Sequence, residues 1–257
     1  MKHYAKKKYG QNFLKDKNLL KRIVEKADIK NKHVIEIGPG QGALTAFLAL
    51  QATDVIAYEI DKSLKPLLDA LENEHSNLKI VYDDFLMIDL NHFNQPLHVV
   101  ANVPYYITTP IIFKLLECDQ IQSATLMIQK EVSDRLMAKP NTSQYNALSI
   151  VIQSQADLSK LMDVKRHLFY PVPNVDSVVI KISKKPQKWL NQHEINFVKA
   201  CFTQKRKTIV NNLYEYYQVS KPKIILFLNR LGFEPNIRAE QIDIHDFIKM
   251  AKAWSYD

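Results

Sequence analysis

His33-Val-Ile-Glu-Ile-Gly-Pro-Gly-Gln-Gly42 begins as a short strand and ends as a glycine turn, and the apolar helical stretch 43–50 follows at once. Strand, glycine turn and helix in that order open a βαβ unit. The alternation continues downstream. Strand 54–58 ends at Glu59, and a helix over 63–71 follows with Ser63 as its cap. Strand 78–82 ends at Asp83-Asp84, and strand 97–101 ends at Asn102. Thr109-Pro110 opens another helix, with proline in the first turn where its missing N–H costs nothing. A fifth strand spans 124–128. Upstream, Leu19, Leu20, Ile23, Val24 and Ala27 fall at helical spacing behind Asp16, which predicts a capped helix over 16–28. This pattern predicts an α/β fold: a Rossmann-like, mostly parallel sheet with helices on both faces. Residues 144–155 read as a helix. Strands 157–164 and 175–182 have no helix between them and are expected to pair as an antiparallel hairpin at the sheet edge.

The register changes near Lys184-Lys-Pro186. Beyond it only helices are expected, over 193–202, 204–217, 220–231 and 243–254, with Ser220 and Asp243 as N-caps and Gly232 as a terminator. The expected division is therefore 1–183 and 184–257. The 257 residues are 46% hydrophobic and 24% charged, an ordinary globular composition. No apolar stretch reaches the roughly 18 residues of a membrane span, and the charged N-terminus lacks the apolar core of a secretory signal. Cys118 and Cys201 are isolated, which suits a reducing, cytoplasmic setting. The eight histidines lack ligand spacing, so no metal site is expected. Charge is divided unevenly. Residues 1–34 hold 11 Lys/Arg against 3 Asp/Glu, 35–180 hold 10 against 17, and 181–257 hold 14 against 7. Two basic ends around an acidic middle suit a protein that grips a polyanion from its ends.

Gly38-Pro-Gly40-Gln-Gly42-Ala43 matches the dinucleotide pattern G-x-G-x-x-A, and Glu59 follows Gly38 by 21 residues, where a carboxylate can take ribose hydroxyls. By itself this half does not separate a nicotinamide cofactor from S-adenosylmethionine. Glu36 tilts the reading, because a carboxylate just before the turn suits a cationic cofactor and not a pyrophosphate. Asp84, at the end of the third strand, is placed to accept from the cofactor's adenine amine. The sharper signal is Asn102-Val-Pro-Tyr105. An adenine N6 lone pair is delocalised and poorly nucleophilic. Two fixed acceptors on its N–H groups, the Asn102 side-chain oxygen and the Val103 carbonyl in a turn pinned by Pro104, favour the pyramidal, reactive form. Tyr105 can stack on a base that is unpaired or flipped out. Phe169, in the stiff Phe169-Tyr-Pro-Val-Pro173 loop, is either the second slice of that sandwich or a hydrophobic plug. Lys205-Arg206-Lys207 at a helix start, with Asn211-Asn212 one to two turns on, forms a candidate phosphate-gripping face. Tyr214, Tyr216 and Tyr217 read as core and rim. The chemistry implied is methyl transfer to an adenine amine by a class I methyltransferase; a nicotinamide oxidoreductase lacks a proton-transfer group.

With these residues in place, the chain resembles the KsgA family of small-subunit rRNA adenine dimethyltransferases nearly end to end. The resemblance rests on Gly10-Gln-Asn-Phe-Leu14, Glu36 to Gly42, Glu59, Asp84, Asn102 to Tyr105, Ile107-Thr-Thr-Pro-Ile111, Pro171-Val-Pro-Asn-Val-Asp-Ser177, and Gln204-Lys-Arg-Lys-Thr208 with Asn211-Asn212-Leu213. It implies an S-adenosylmethionine-dependent methyltransferase domain over 1–183 and a helical rRNA-binding domain over 184–257. It further implies N6,N6-dimethylation of two adjacent adenines in the 3′-terminal hairpin of 16S rRNA during late small-subunit assembly. Gln11, Asn12, Leu14, Glu36, Gly38, Gly40, Glu59, Asp84 and Asn102 would then contact the cofactor, with S-adenosyl-L-homocysteine as product. Asp83 departs from the family, where glycine is common. A monomer without membrane partners is expected. Two alternatives remain open: an erythromycin-resistance-type methyltransferase acting on 23S rRNA, and a non-catalytic RNA-binding assembly or transcription factor on the same fold.

Overall fold

In the computed structural model, Lys6 and residues 9–255 are described. The first strand, β1 (Phe13–Leu14), is only two residues long, and α1 (Lys17–Ala27) follows it, capped by the Asp16 side chain on the Leu19 N–H. β2 (His33–Ile37), β3 (Asp54–Tyr58) and β4 (Leu78–Val81) then lie side by side and parallel, with α2 (Ala43–Ala49) and α3 (Lys65–Glu74) as the crossovers. The chain next returns to the other flank of β2, where β5 (Leu97–Asn102) pairs in parallel with it, and α4 (Thr108–Glu117) leads to a parallel β6 (Ile121–Gln129). After α5 (Lys130–Leu136) and α6 (Ala147–Gln153) come β7 (Ala156–Val164), the two-residue β8 (Phe169–Tyr170) and β9 (Ser177–Lys184). β9 runs antiparallel to β6, and the sheet order is β4-β3-β2-β5-β6-β9-β7. The expected mostly parallel sheet with an antiparallel edge is what forms.

Alternation along the strands explains why helices cover both faces. Val34, Val55, Ala57, Val100, Met127 and Val179 belong to one buried cluster with Leu20, Ile23 and Val24 of α1, Leu44 and Leu48 of α2, and Leu68 of α3. Their strand neighbours Ile35, Val99, Ala101, Leu126, Ile128 and Ile180 are equally buried and point the other way. Strands buried on both faces read as continuous apolar runs.

Local chemistry shifts several boundaries. The helix expected from Ser63 starts at Lys65, because Asp61, not Ser63, caps a preceding 3-10 turn by accepting the Ser63 N–H. The helix expected over 204–217 is α8 (Ile209–Tyr217), opened by Thr208, whose hydroxyl accepts from the Asn211 N–H. Lys205-Arg206-Lys207 therefore lie in the preceding loop. The pairing of β1 with β8 carries no periodic signal, since each has two residues.

Two compact units form. One runs up to Lys130 and resumes with Leu158–Lys184; the other joins Glu131–Asp157 to the chain from Lys185 on. Residues 131–157 thus group with the C-terminal helices α7 (Gln192–Cys201), α8, α9 (Lys221–Arg230) and α10 (Ile244–Ala253). The core of this second unit is aromatic, with Trp254 5.2 Å from Phe197 and 5.1 Å from Phe227 between ring centroids. No helix among the described residues is long and apolar enough to cross a membrane.

Candidate active site

Strand order reverses between β2 and β5, and in open α/β sheets the crevice at the carboxyl ends beside such a reversal takes ligands. Here it holds a cavity of about 590 Å³, within the range of small-molecule sites. Gly38 and Gly40 shape its floor with φ of 68° and 58°. These are conformations that L side chains rarely adopt, and a Cβ on Gly40 would stand 3.0 Å from the Phe13 ring.

Four carboxylates line the cavity, and three of them, Glu59, Asp84 and Glu36, are each in a different state. Glu59 is buried and held by two backbone donors, Gly40 N–H to Oε2 at 3.0 Å and Asp61 N–H to Oε1 at 2.8 Å. Burial still raises its pKa. Asp84 accepts from the Leu86 N–H through Oδ1 at 2.9 Å, so its other oxygen has no partner among the described residues. Glu36 is 1% exposed and lies on the α2 side of β2. The Thr45 hydroxyl lies near it but not in bonding geometry, so Glu36 Oε2 and Thr45 Oγ1 both stay unpaired. Burial pushes the Glu36 pKa up to about 8, with the charge of Glu59 adding to the rise. Buried polar groups nearly always have partners, so an orphaned carboxylate in a cavity wall marks a place where a ligand completes the bonding.

At the end of β5, the Asn102 Nδ2 donates to the Asn12 carbonyl at 3.0 Å. That bond uses the amide's donor side and leaves Oδ1 without a partner among the described residues. The Val103 N–H continues the ladder to the Met127 carbonyl at 3.2 Å, and the Val103 side chain is buried. The turn is thereby fixed from below while its carbonyl takes no described donor. Tyr105 is tied through its hydroxyl to Ser177 Oγ at 2.8 Å, and burial raises its pKa. Pro104 and Tyr106 complete this wall.

The structure thus brings Gln11, Asn12, Leu14, Glu36, Gly38, Gly40, Glu59, Asp84 and Asn102 to one cavity, together with Val103, Pro104 and Tyr105. It does not bring Phe169 there. Phe169 is 3% exposed, paired with Leu14 and packed in the cluster with α1. Its place is that of the plug, because the β1–β8 ladder turns the ring into the core. Lys205, Arg206, Lys207 and Asn211 lie in the helical unit. Lys207 is paired with Glu215 at 2.5 Å and Lys205 with Glu240 at 3.6 Å, while Arg206 is exposed and has no ion-pair partner among the described residues. Asn212, read as part of the basic face, is 1% exposed and braces the loop from inside, donating to the Cys201 carbonyl at 2.6 Å.

A model of the ribosomal RNA adenine dimethylase family matches residues 2–255. The chain is 51% identical to the ribosomal RNA small subunit methyltransferase A of Onion yellows phytoplasma, covering 99% of this chain and 97% of that one. The chain belongs to the ribosomal RNA adenine dimethylase family. The protein of the same name from Mycoplasmopsis pulmonis is 42% identical over 95% of this chain and 96% of its own. Among solved structures, a dimethyladenosine transferase from Plasmodium falciparum superposes with a TM-score of 0.80 at 30% identity, covering 93% and 95% of the two chains. The 23S rRNA methyltransferase ErmE follows at 0.73 and 28%, covering 94% and 99%. Membership accounts for an adenine methyltransferase fold.

Some of the wall was not apparent in the sequence. Ile60 is 43% exposed beside Glu59, and Leu86 and Tyr106 also face the cavity. An apolar residue directly after a strand-end carboxylate is the only signal Ile60 offers. Ser177 gives none, because its role depends on where β9 places it.

Proposed function

We propose that this protein transfers methyl groups from S-adenosylmethionine to N6 of two adjacent adenines in the 3′-terminal hairpin of 16S rRNA, within the small ribosomal subunit. The observation that carries the reading is the Asn102 amide, whose donor side is used by Asn12 and whose oxygen is left open beside the Val103 carbonyl. The small-subunit target is supported by relatives at 41–51% identity bearing that name over nearly the whole chain.

The cavity suits the cofactor on its own chemistry. The buried Glu36 carboxyl, protonated up to about pH 8 on its own, would ionise against a bound cation, the glycine floor admits close approach, and Ile60 and Leu86 offer apolar faces to a planar ring. When bound, S-adenosylmethionine supplies an electrophilic methyl group on a positively charged sulfur. Glu59, already aimed by two backbone donors, retains lone pairs for ribose hydroxyls. The open oxygen of Asp84 takes the exocyclic amine of the cofactor's base. Asn102 Oδ1 and the Val103 carbonyl accept the two N–H groups of the target adenine, which draws its lone pair out of the ring and toward the methyl donor. Tyr105 supports the flipped base, a contact worth roughly 1–3 kcal/mol. No strong base is required, because the N6 cation formed by transfer loses its proton readily. Among the described residues no cluster of His, Cys, Asp or Glu is arranged for a metal ion.

The test is methyl transfer from labelled S-adenosylmethionine to small and large ribosomal subunits that lack these modifications, with mass spectrometry of the nucleosides. Dimethyladenosine in the small subunit alone is expected. Label in 23S rRNA would assign the protein to the antibiotic-resistance activity instead. Cofactor binding without label on either subunit would leave a binding-only role.

A further inference from the structure

The N-terminal segment reaches the cavity with almost no ladder to hold it, since β1 covers only Phe13 and Leu14. Side chains do the holding instead, and they converge on Asp61. This carboxylate is 2% exposed. It accepts from Lys6 Nζ at 2.7 Å, Gln11 Nε2 at 3.0 Å, Ser63 Oγ at 2.7 Å and the Ser63 N–H at 3.1 Å. Lys6 Nζ also reaches Ser63 Oγ at 2.5 Å, and the Lys6 N–H donates to Gln11 Oε1 at 2.8 Å, so the Gln11 amide is satisfied at both ends. Burial works to raise the Asp61 pKa, but the donors from Lys6, Ser63 and Gln11 outweigh it and hold the group well below the usual carboxylate range.

On the far side of this latch stands Asn12. Two nearby residues of its segment are set against the cavity wall: Gly10, where a Cβ would come 3.2 Å from the Tyr106 ring, and Phe13, which closes on Gly40. The Asn12 carbonyl takes the Asn102 Nδ2. Asp61 also turns its own N–H to Glu59 Oε1. One residue thus secures the cofactor-facing carboxylate through its backbone and the N-terminal segment through its side chain.

We infer that Asp61 is a positioning residue for methyl transfer: by latching Lys6 and Gln11 it holds the Asn12 carbonyl that keeps the Asn102 amide oxygen turned toward the target amine. This role rests on the function proposed above. The physical reason is the asymmetry of an amide. With one of its N–H groups held by the Asn12 carbonyl, Asn102 presents an acceptor. Without Asn12 it is free to flip, and the flipped form presents two donors to an amine that must donate.

Asp61 also caps the 3-10 turn, so its removal risks disturbing that turn, and Lys6→Met is the cleaner variant. Three readouts apply: hydrogen exchange of the segment 9–14 without cofactor, the single-turnover methylation rate at saturating S-adenosylmethionine, and calorimetric affinity for S-adenosyl-L-homocysteine. Lys6→Met and Gln11→Ala are expected to speed exchange and to lower the single-turnover rate about tenfold, the size of a lost charge-assisted bond. Lys6→Arg should restore both. Asp61→Asn should act in the same direction. A normal single-turnover rate alongside faster exchange overturns the role, because the amide would then be oriented without the latch. Weakened cofactor affinity with an unchanged saturated rate also overturns it, leaving the segment as a roof only. Wild-type protein that binds the cofactor but methylates neither subunit removes the proposed function and this role with it, while the exchange result stands apart from that outcome.

Discussion

At the ends of β2 and β3, nearly every polar group meets a partner within the protein. Among the described residues, Glu59 takes two backbone donors and Asp61 takes four, while Glu36 Oε2 and the neighbouring Thr45 Oγ1 have no partner. At the end of β5 the arrangement is reversed: Asn102 Nδ2 donates to Asn12, while among the described residues its oxygen and the Val103 carbonyl stay open. On the proposed function, the first half receives one cation of fixed shape, and the second offers acceptors to a group that arrives, reacts and leaves. A carboxylate floor tolerates saturation because its charge still acts on a ligand, whereas a clamp for a neutral amine acts only through lone pairs left unpaired.

The strongest way to break this comparison is to remove the open acceptor. Asn102→Ala is expected to lower methylation by about 10²–10³-fold, the size seen when one preorganised group is lost from a charge-developing site, with RNA retention unchanged. Near-normal turnover would mean that the β5 turn does not clamp the amine. Phe169 sharpens the boundary of that half. As a buried ring, Phe169→Ala should cost about 3–5 kcal/mol of stability, read as a fall in denaturation midpoint. Loss of turnover at unchanged stability would return Phe169 to the target base instead.

The cofactor half has its own signature in pH. The unfolded Glu36 carboxyl ionises near its ordinary value of 4.5, but the folded one keeps its proton to about 8. Between those limits unfolding releases a proton, so rising pH favours the unfolded chain, by at most about 1.4 kcal/mol per unit from this group. Without cofactor, Glu36→Gln should therefore flatten the fall in melting temperature from pH 5 to 8 and should be the more stable protein at pH 8. It should also bind S-adenosylmethionine more weakly. Parallel melting curves for the two proteins would show that Glu36 is ionised before the cofactor arrives.

Smaller effects test the supports. Ser177→Ala and Tyr105→Phe each remove the same hydrogen bond, and each should slow single-turnover methylation by roughly fivefold, about 1 kcal/mol. If the bond is what matters, the double variant should be no slower than either single one. The smallest effect is expected in the helical unit. Arg206→Ala should reduce the salt slope of RNA binding by about one, whereas Lys207→Ala should change it less, because Glu215 already neutralises that charge. Equal slopes for all three proteins would show that this loop does not touch phosphate.

Much of the site was legible because its chemistry is local. A glycine turn after a strand, a carboxylate at the next strand end and Asn-x-Pro-Tyr after a later one each announce themselves within a few residues, and the parallel sheet that gathers them follows from strand–helix alternation. The helix start near 205 was misread for a local reason as well: Thr208 is the better cap, and a basic run carries no helix boundary of its own. Phe169 was ambiguous because a ring beside two prolines suits either a stack or a plug. The two residues of β1, beside Asn12, which lies ninety positions before Asn102, and far from β8 in the chain, give no pattern to read.

The sequence by itself determined the order in which the sheet presents its glycine turn, its strand-end carboxylates and the Asn-x-Pro-Tyr turn, because glycine conformations, strand ends and apolar periodicity are properties of short segments. Tertiary structure alone decided the rest. It set Asn12 against Asn102, Asp61 against Lys6 and Gln11, and Ser177 against Tyr105. It buried Phe169 and left Glu36 unpaired. These are contacts between distant segments, and their energies depend on orientation and burial that no local pattern encodes.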